Sequence, residues 1–80
     1  MKTLCEVVGD RIRVLLEQKK MNVNQLILNS GVLNGTMYGI LQNKNKSVDL
    51  MTVIKIAGGF EMSLIDFLND KSFDEDNLRV

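Results

Sequence analysis

Apolar residues recur at helical spacing along most of the chain. Val8, Ile12, Leu15 and Leu16 fall on one face of a helix. This stripe predicts a first helix from about Thr3 to Lys20, with Lys19 and Lys20 in a last turn whose dipole favours cations. A second helix, "VNQLILNS", starts after Asn22, a good N-cap, and turns Leu26 and Ile27 inward. Gly31 follows it, where a left-handed residue can end a helix without a Cβ penalty. A third helix within "VLNGTMYGILQN" has Val32, Met37, Ile40 and Leu41 as its inner set and Asn43 as its stop, before the polar loop "KNKS". Asp49 caps a fourth helix, "LMTVIKIAGG", with Leu50, Val53, Ile54 and Ala57 on one side and Gly58 and Gly59 at its end. Ser63 caps a short fifth helix, "LIDFLND", that buries Leu64, Phe67 and Leu68. No stretch alternates long enough to predict a strand, and the chain has no proline and no repeat. The expected fold is all-α, a compact five-helix bundle over residues 1–70 followed by an acidic, frayed tail over 71–80.

Composition narrows the function more than the fold. Eighty residues make one small domain, and 45% hydrophobic with 25% charged residues is the balance of a soluble globular protein. Cys5 is the sole cysteine and there is no histidine, so neither a disulfide, a Cys/His metal site nor a Cys–His nucleophile is available. Ser30, Ser47, Ser63 and Ser72 likewise lack an imidazole partner. The expectation is a non-enzyme without cofactor or metal. A single cysteine fits a reducing cytoplasm, and no apolar run approaches the ~18 residues of a membrane span.

Net charge is zero, which by itself argues against nucleic acid, but its distribution is uneven. Residues 1–46 carry seven cations and three anions, a balance of +4. Residues 47–80 carry three cations and seven anions, a balance of −4. Such a split predicts a one-sided electrostatic surface. In the tail, Phe73, Leu78 and Val80 stand among acids and suit packing back on the bundle or across a dimer.

Two short helices joined at a glycine, in "NVNQLILNSGVLNGTMYGILQN", have the layout of a DNA-binding helix-turn-helix. The turn needs a small residue, and Gly31 supplies it. The second helix of the pair needs an apolar inner face, supplied by Met37, Ile40 and Leu41. Its outer face then holds Asn34, Gly35, Tyr38, Gly39 and Gln42. Two glycines one turn apart cost this helix roughly 2 kcal/mol in propensity.

On these residues the chain resembles the XRE family, the Cro/CI-type phage-repressor helix-turn-helix domains, over about residues 7–69. The matching features are Ile12, the cap Asn22, Leu26, the pair Gly31-Val32, Asn43 at the helix stop, and then "TVIKIAGGF" and "MSLIDF" as fourth and fifth helices. The resemblance implies a lambda-repressor-like fold and a sequence-specific transcriptional regulator, of repressor type, from phage or mobile elements. It also implies that the second helix lies across the DNA backbone while the third reads bases in the major groove. Four positions depart from the family pattern. Ile27 replaces an alanine, Leu16 and Leu41 replace a buried arginine–glutamate pair, Val23 replaces a phosphate-binding glutamine, and Gly35 and Gly39 occupy reading positions. An apolar pair in place of a buried ion pair is often neutral or stabilising, and Leu16 and Leu41 are expected to touch.

The expected base readers are therefore Asn34, Gly35, Thr36, Tyr38, Gly39 and Gln42. Asparagine suits adenine and threonine suits a thymine methyl. The expected phosphate contacts are Asn22, Val23 and Asn24 at the start of the second helix, with Lys44, Asn45 and Lys46 in the following loop. Arg11, Arg13, Lys19 and Lys20 read as solvated. The expected partner is a double-stranded DNA operator, a homodimer stays an open alternative, and no membrane or small-molecule partner is implied. The rival class is a protein-interaction module on the same scaffold, with Gly35 and Gly39 giving a partner close access.

Overall fold

The computed structural model describes residues 1–79, and the expectation for Val80 lies outside them. Five α-helices follow one another: α1 Leu4–Gln18, α2 Val23–Ser30, α3 Asn34–Leu41, α4 Leu50–Gly59 and α5 Leu64–Leu68. Two 3-10 turns, Lys71–Phe73 and Glu75–Asn77, complete the chain. The all-helical expectation holds, and no strand is present among the described residues.

Side chains start most of these helices. Thr3 and Glu6 form a reciprocal capping box on α1, Thr3 Oγ1 accepting from the Glu6 amide and Glu6 Oε1 accepting from the Thr3 amide. Asn22 and Gln25 do the same for α2, at 2.8 and 3.0 Å. Asp49 accepts from the Thr52 amide at 2.7 Å to cap α4, and Ser63 accepts from the Asp66 amide to cap α5. Helix α3 differs, because its N-cap is Leu33, which offers no side-chain acceptor. It starts two residues later than its apolar pattern suggests, and Val32 is buried in the turn rather than in the helix.

The helix ends explain several boundaries that the sequence misplaces. Gly31 ends α2 in the left-handed conformation, with φ 73°. Helices α1, α3 and α4 end at left-handed Lys20, Asn43 and Glu61, with φ of 53°, 57° and 59°. Each has the paired backbone hydrogen bonds of a Schellman motif, such as Met21 N to Leu16 O and Lys20 N to Glu17 O after α1. The corresponding bonds after α4 are Met62 N to Ala57 O and Glu61 N to Gly58 O. Met21 and Met62, just past the two stops, pack against the core. Apolar anchoring thus holds Lys20 and Glu61 in a conformation they do not favour. Lys19 and Lys20 consequently lie beyond α1 rather than in its last turn, while Gly58 and Gly59 are the last residues of α4 as expected, with Phe60 as its C-cap.

One core joins all five helices. Cys5, Val8, Ile12 and Leu15 of α1 meet Leu26, Val32, Met37, Ile40, Val53, Ile56, Ala57, Phe60 and Phe67. Leu16, Ile27 and Leu41 are half-buried against it, with Leu16 and Leu41 on the neighbouring helices α1 and α3. The face of α4 is rotated from its expected position. Val53 and Ala57 are buried as expected, but Leu50 and Ile54 are exposed, and Ile56 and Phe60 are buried in their place. Leu68 on α5 is also exposed.

The segment after α5 is folded, not frayed. Phe73 packs on the core with its ring 6.0 Å from that of Phe67. Leu78 forms a parallel bridge with Lys2, closed by Lys2 N to Asn77 O at 3.2 Å and Arg79 N to Lys2 O at 2.8 Å. Arg11 reinforces this end and is not a solvated residue. Its Nε donates to Phe67 O at 2.8 Å and its Nη2 to Asp66 O at 3.1 Å, satisfying carbonyls at the end of α5. Its guanidinium also lies over the Phe67 ring at 5.9 Å.

Helices α2 and α4 cross at Gly59. A Cβ there would lie 2.8 Å from Ser30 Cβ, 2.9 Å from Leu26 Cδ1 and 3.2 Å from Ser30 Cα. A Cβ on neighbouring Gly58 would meet nothing within 4 Å. Gly59→Ala should therefore lower the unfolding free energy by about 1–3 kcal/mol through overpacking. Gly58→Ala should raise it by up to ~1 kcal/mol through helix propensity. Urea denaturation of both variants checks the pair of opposite signs.

Candidate nucleic-acid interface

Helices α2 and α3, with left-handed Gly31 between them, form the helix-turn-helix. After Gly31 the Val32 amide donates to Ser30 Oγ at 3.2 Å, which tightens the turn. Val32 then enters the core and Leu33 starts α3. The inner face of α3 is Met37 and Ile40, both fully buried, with Leu41 half-buried.

The outer face of α3 carries most, not all, of the residues assigned to it. Asn34, Gly35, Tyr38 and Gln42 are exposed, and Thr36 is half-buried. Around Gly35 a Cβ would meet nothing within 4 Å, so this glycine marks open space. Gly39 is not on the open face. It is buried beneath the Asn45 side chain, and a Cβ on it would clash with the Asn45 carboxamide, lying 2.8 Å from both Cγ and Nδ2. The reason is the loop that follows. Lys44 N donates to Gly39 O at 2.8 Å and Asn43 N donates to Ile40 O at 3.2 Å, a Schellman closure around left-handed Asn43. Asn45 N also donates to Gly39 O, at 3.2 Å, so the chain turns back over the helix.

Asn45 is correspondingly not an outward phosphate ligand. Its half-buried carboxamide Nδ2 donates to Thr36 O at 3.4 Å. Lys44 and Lys46 on either side of it are exposed, and neither has an ion-pair partner among the described residues. The next acid along the chain, Asp49, is committed to α4. Its hydrogen bonds to the Thr52 side chain and backbone hold its carboxyl below the usual range.

At the start of α2 the three expected phosphate residues divide. Asn22 and Asn24 are exposed, but the Asn22 Oδ1 and amide are both engaged in the capping box. The Val23 side chain is half-buried on the core, which leaves only its backbone N–H for an outside ligand. Two exposed residues of the motif were not singled out from the sequence. Leu28 on α2 is 82% exposed and Leu33 at the head of α3 is 76% exposed. Their apolar character favours the core, so periodicity alone gives no reason to place them outside.

No group of three or more His, Cys, Asp or Glu is arranged for a metal among the described residues. Burial pushes the Cys5 thiol above its usual pKa, which favours the protonated, unreactive form. No helix among the described residues is long and apolar enough to cross a membrane.

No curated protein and no solved structure significantly matches the chain. The family model for the Cro/C1-type HTH DNA-binding domain does match, over residues 11–72. That span takes in the whole of α2 and α3, the Lys44–Lys46 loop, α4 and α5. With the motif, its turn and its supporting bundle all in place, the chain belongs to the Cro/C1-type helix-turn-helix family of DNA-binding domains.

Proposed function

We infer that the protein is a sequence-specific transcriptional regulator, a repressor of the phage or mobile-element kind, with α3 as its reader in the major groove. The observation that carries this reading is the pairing of an open, uncharged α3 surface with two exposed lysines in the next loop that have no ion-pair partner among the described residues. Lys44 and Lys46 are assigned to phosphates, where cations supply affinity and register. Asn34 is assigned to a base edge, where its carboxamide suits adenine, and the Thr36 methyl suits thymine. Tyr38 is assigned to the backbone and Gln42 to the far end of the contact. Gly35 lets the helix backbone approach the DNA, and exposed Leu33 beside it suits a thymine methyl. The free N–H groups of Val23 and Asn24 suit a phosphate at the start of α2. Exposed Leu4, Leu50 and Leu68 line one largely apolar cleft and suit a homodimer contact.

A protein-interaction module is the second reading, favoured by the exposure of Leu28 and Leu33 on the same motif. Salt titration separates the two. Each phosphate contact contributes about 0.9 to the slope of log affinity against log salt. Lys44→Ala with Lys46→Ala should lower that slope by about 1.8 per protomer and weaken binding to a selected DNA duplex. An unchanged slope and affinity would remove both lysines from the interface.

Gly35→Ala gives an independent check. The open space around Gly35 lets a methyl group fit the fold, and the helix should gain up to ~1 kcal/mol. DNA binding should persist at reduced affinity, measured by fluorescence anisotropy. Complete loss of DNA binding with the fold intact would contradict the room assigned to this position.

A further inference from the structure

The contact between Asn45 and Gly39 is unusual in what it joins. One end is a loop residue flanked by the two exposed lysines, and the other is the backbone of the reading helix. Gly39 O accepts two amides, from Lys44 at 2.8 Å and from Asn45 at 3.2 Å. The Asn45 carboxamide fills the space where a residue-39 side chain would begin, and its Nδ2 reaches Thr36 O, one turn nearer the head of α3. Left-handed Asn43 supplies the reversal that makes this return path possible. The loop is therefore fastened to α3 at Gly39 and Thr36, by backbone and side chain together.

We propose that Asn45 and Gly39 form a clamp that sets the position of Lys44 and Lys46 relative to the reading helix, so that phosphate contact and base contact share one register. This rests on the DNA-binding reading of the same surface. Asn45 is a positioning residue here, because its carboxamide is turned to α3 and acts through the lysines beside it. Gly39 has a matching role, since any side chain would expel the carboxamide. The clamp also closes α3 to base edges at Gly39 and leaves base reading to Leu33, Asn34 and Thr36, with Gly35 giving the backbone room and Tyr38 on the DNA backbone. The glycine at a nominal reading position is thus explained by what lies over it.

The test uses the full chain and a duplex chosen by selection, with wild type, Asn45→Ala, Gly39→Ala, the lysine pair variant and the combination of Asn45→Ala with that pair. Helicity and melting of the free proteins are followed by circular dichroism. The slope of log affinity against log salt is followed by anisotropy. The clamp predicts that Asn45→Ala and Gly39→Ala each remain folded and lose about 1–2 of that slope. It further predicts that removing the lysines from Asn45→Ala costs much less than removing them from wild type. Faster exchange of the backbone amides at positions 44 and 45 in Asn45→Ala, with the core amides unchanged, completes the expected result. If wild type binds with a salt-dependent slope and Asn45→Ala keeps that slope, the clamp is overturned while the DNA reading stands. Additive effects of Asn45→Ala and the lysine pair overturn it in the same way. Loss of helicity in Asn45→Ala overturns it by assigning the contact to global folding. No DNA binding by the lysine-bearing wild type overturns the clamp and the DNA reading together.

Discussion

Close helix crossing is the constraint on which the motif depends. A Cβ on Gly9 of α1 would lie 3.1 Å from the carbonyl oxygen of Ile40 in α3, and a Cβ on Gly59 of α4 would press on Ser30 and Leu26 of α2. The two helices of the motif are thus each held by a partner outside it, α3 by α1 and α2 by α4. Glycine at both crossings lets backbone approach backbone, and the core residues Ile12, Leu26, Met37, Ile40, Ile56 and Phe60 fill what remains. Their burial is the main favourable term for a chain this small. The angle between α2 and α3 then follows from the bundle as much as from the turn at Gly31.

That arrangement lets α3 spend its outer face on something other than stability. Its first turn has no side-chain cap, its outer surface has no charge, and Gly35 faces open space. The positive charge comes from the loop at its other end, which the Schellman closure at Asn43 folds back over Gly39. Acidic residues gather instead at the opposite end of the sequence, where Arg11 and the Lys2 bridge tie α5 and the terminal turns to α1. Zero net charge is consequently compatible with a local basic edge beside an uncharged helix.

Much of the fold was legible in the sequence because its punctuation is local. Asn22, Asp49 and Ser63 cap the helices they precede, and Gly31 and Asn43 take the left-handed conformation where expected. The stops at Lys20 and Glu61 were not legible, because neither residue type favours that conformation. Apolar Met21 and Met62 behind them were the available signal. The face of α4 was misjudged because Leu50, Val53, Ile54 and Ala57 satisfy the helical period as well as Val53, Ile56, Ala57 and Phe60 do. Only packing against α2 through Gly59 decides between them. The exposure of Asn34, Gly35, Tyr38 and Gln42 on and just after α3 was legible from period alone. Gly39 and Asn45 were misplaced, since a contact between a helix glycine and a loop side chain leaves no periodic trace.

The central claim is that the face of α2 and α3 reads a DNA sequence. It is tested most directly by selecting bound duplexes from a random pool with the full chain and sequencing them. The account predicts enrichment of a short motif, present twice with twofold symmetry if two copies bind together, and weakened by Asn34→Ala at a single base position. A pool that returns no enriched motif at low salt would contradict it, and would leave the exposed leucines of the motif as a protein-binding surface.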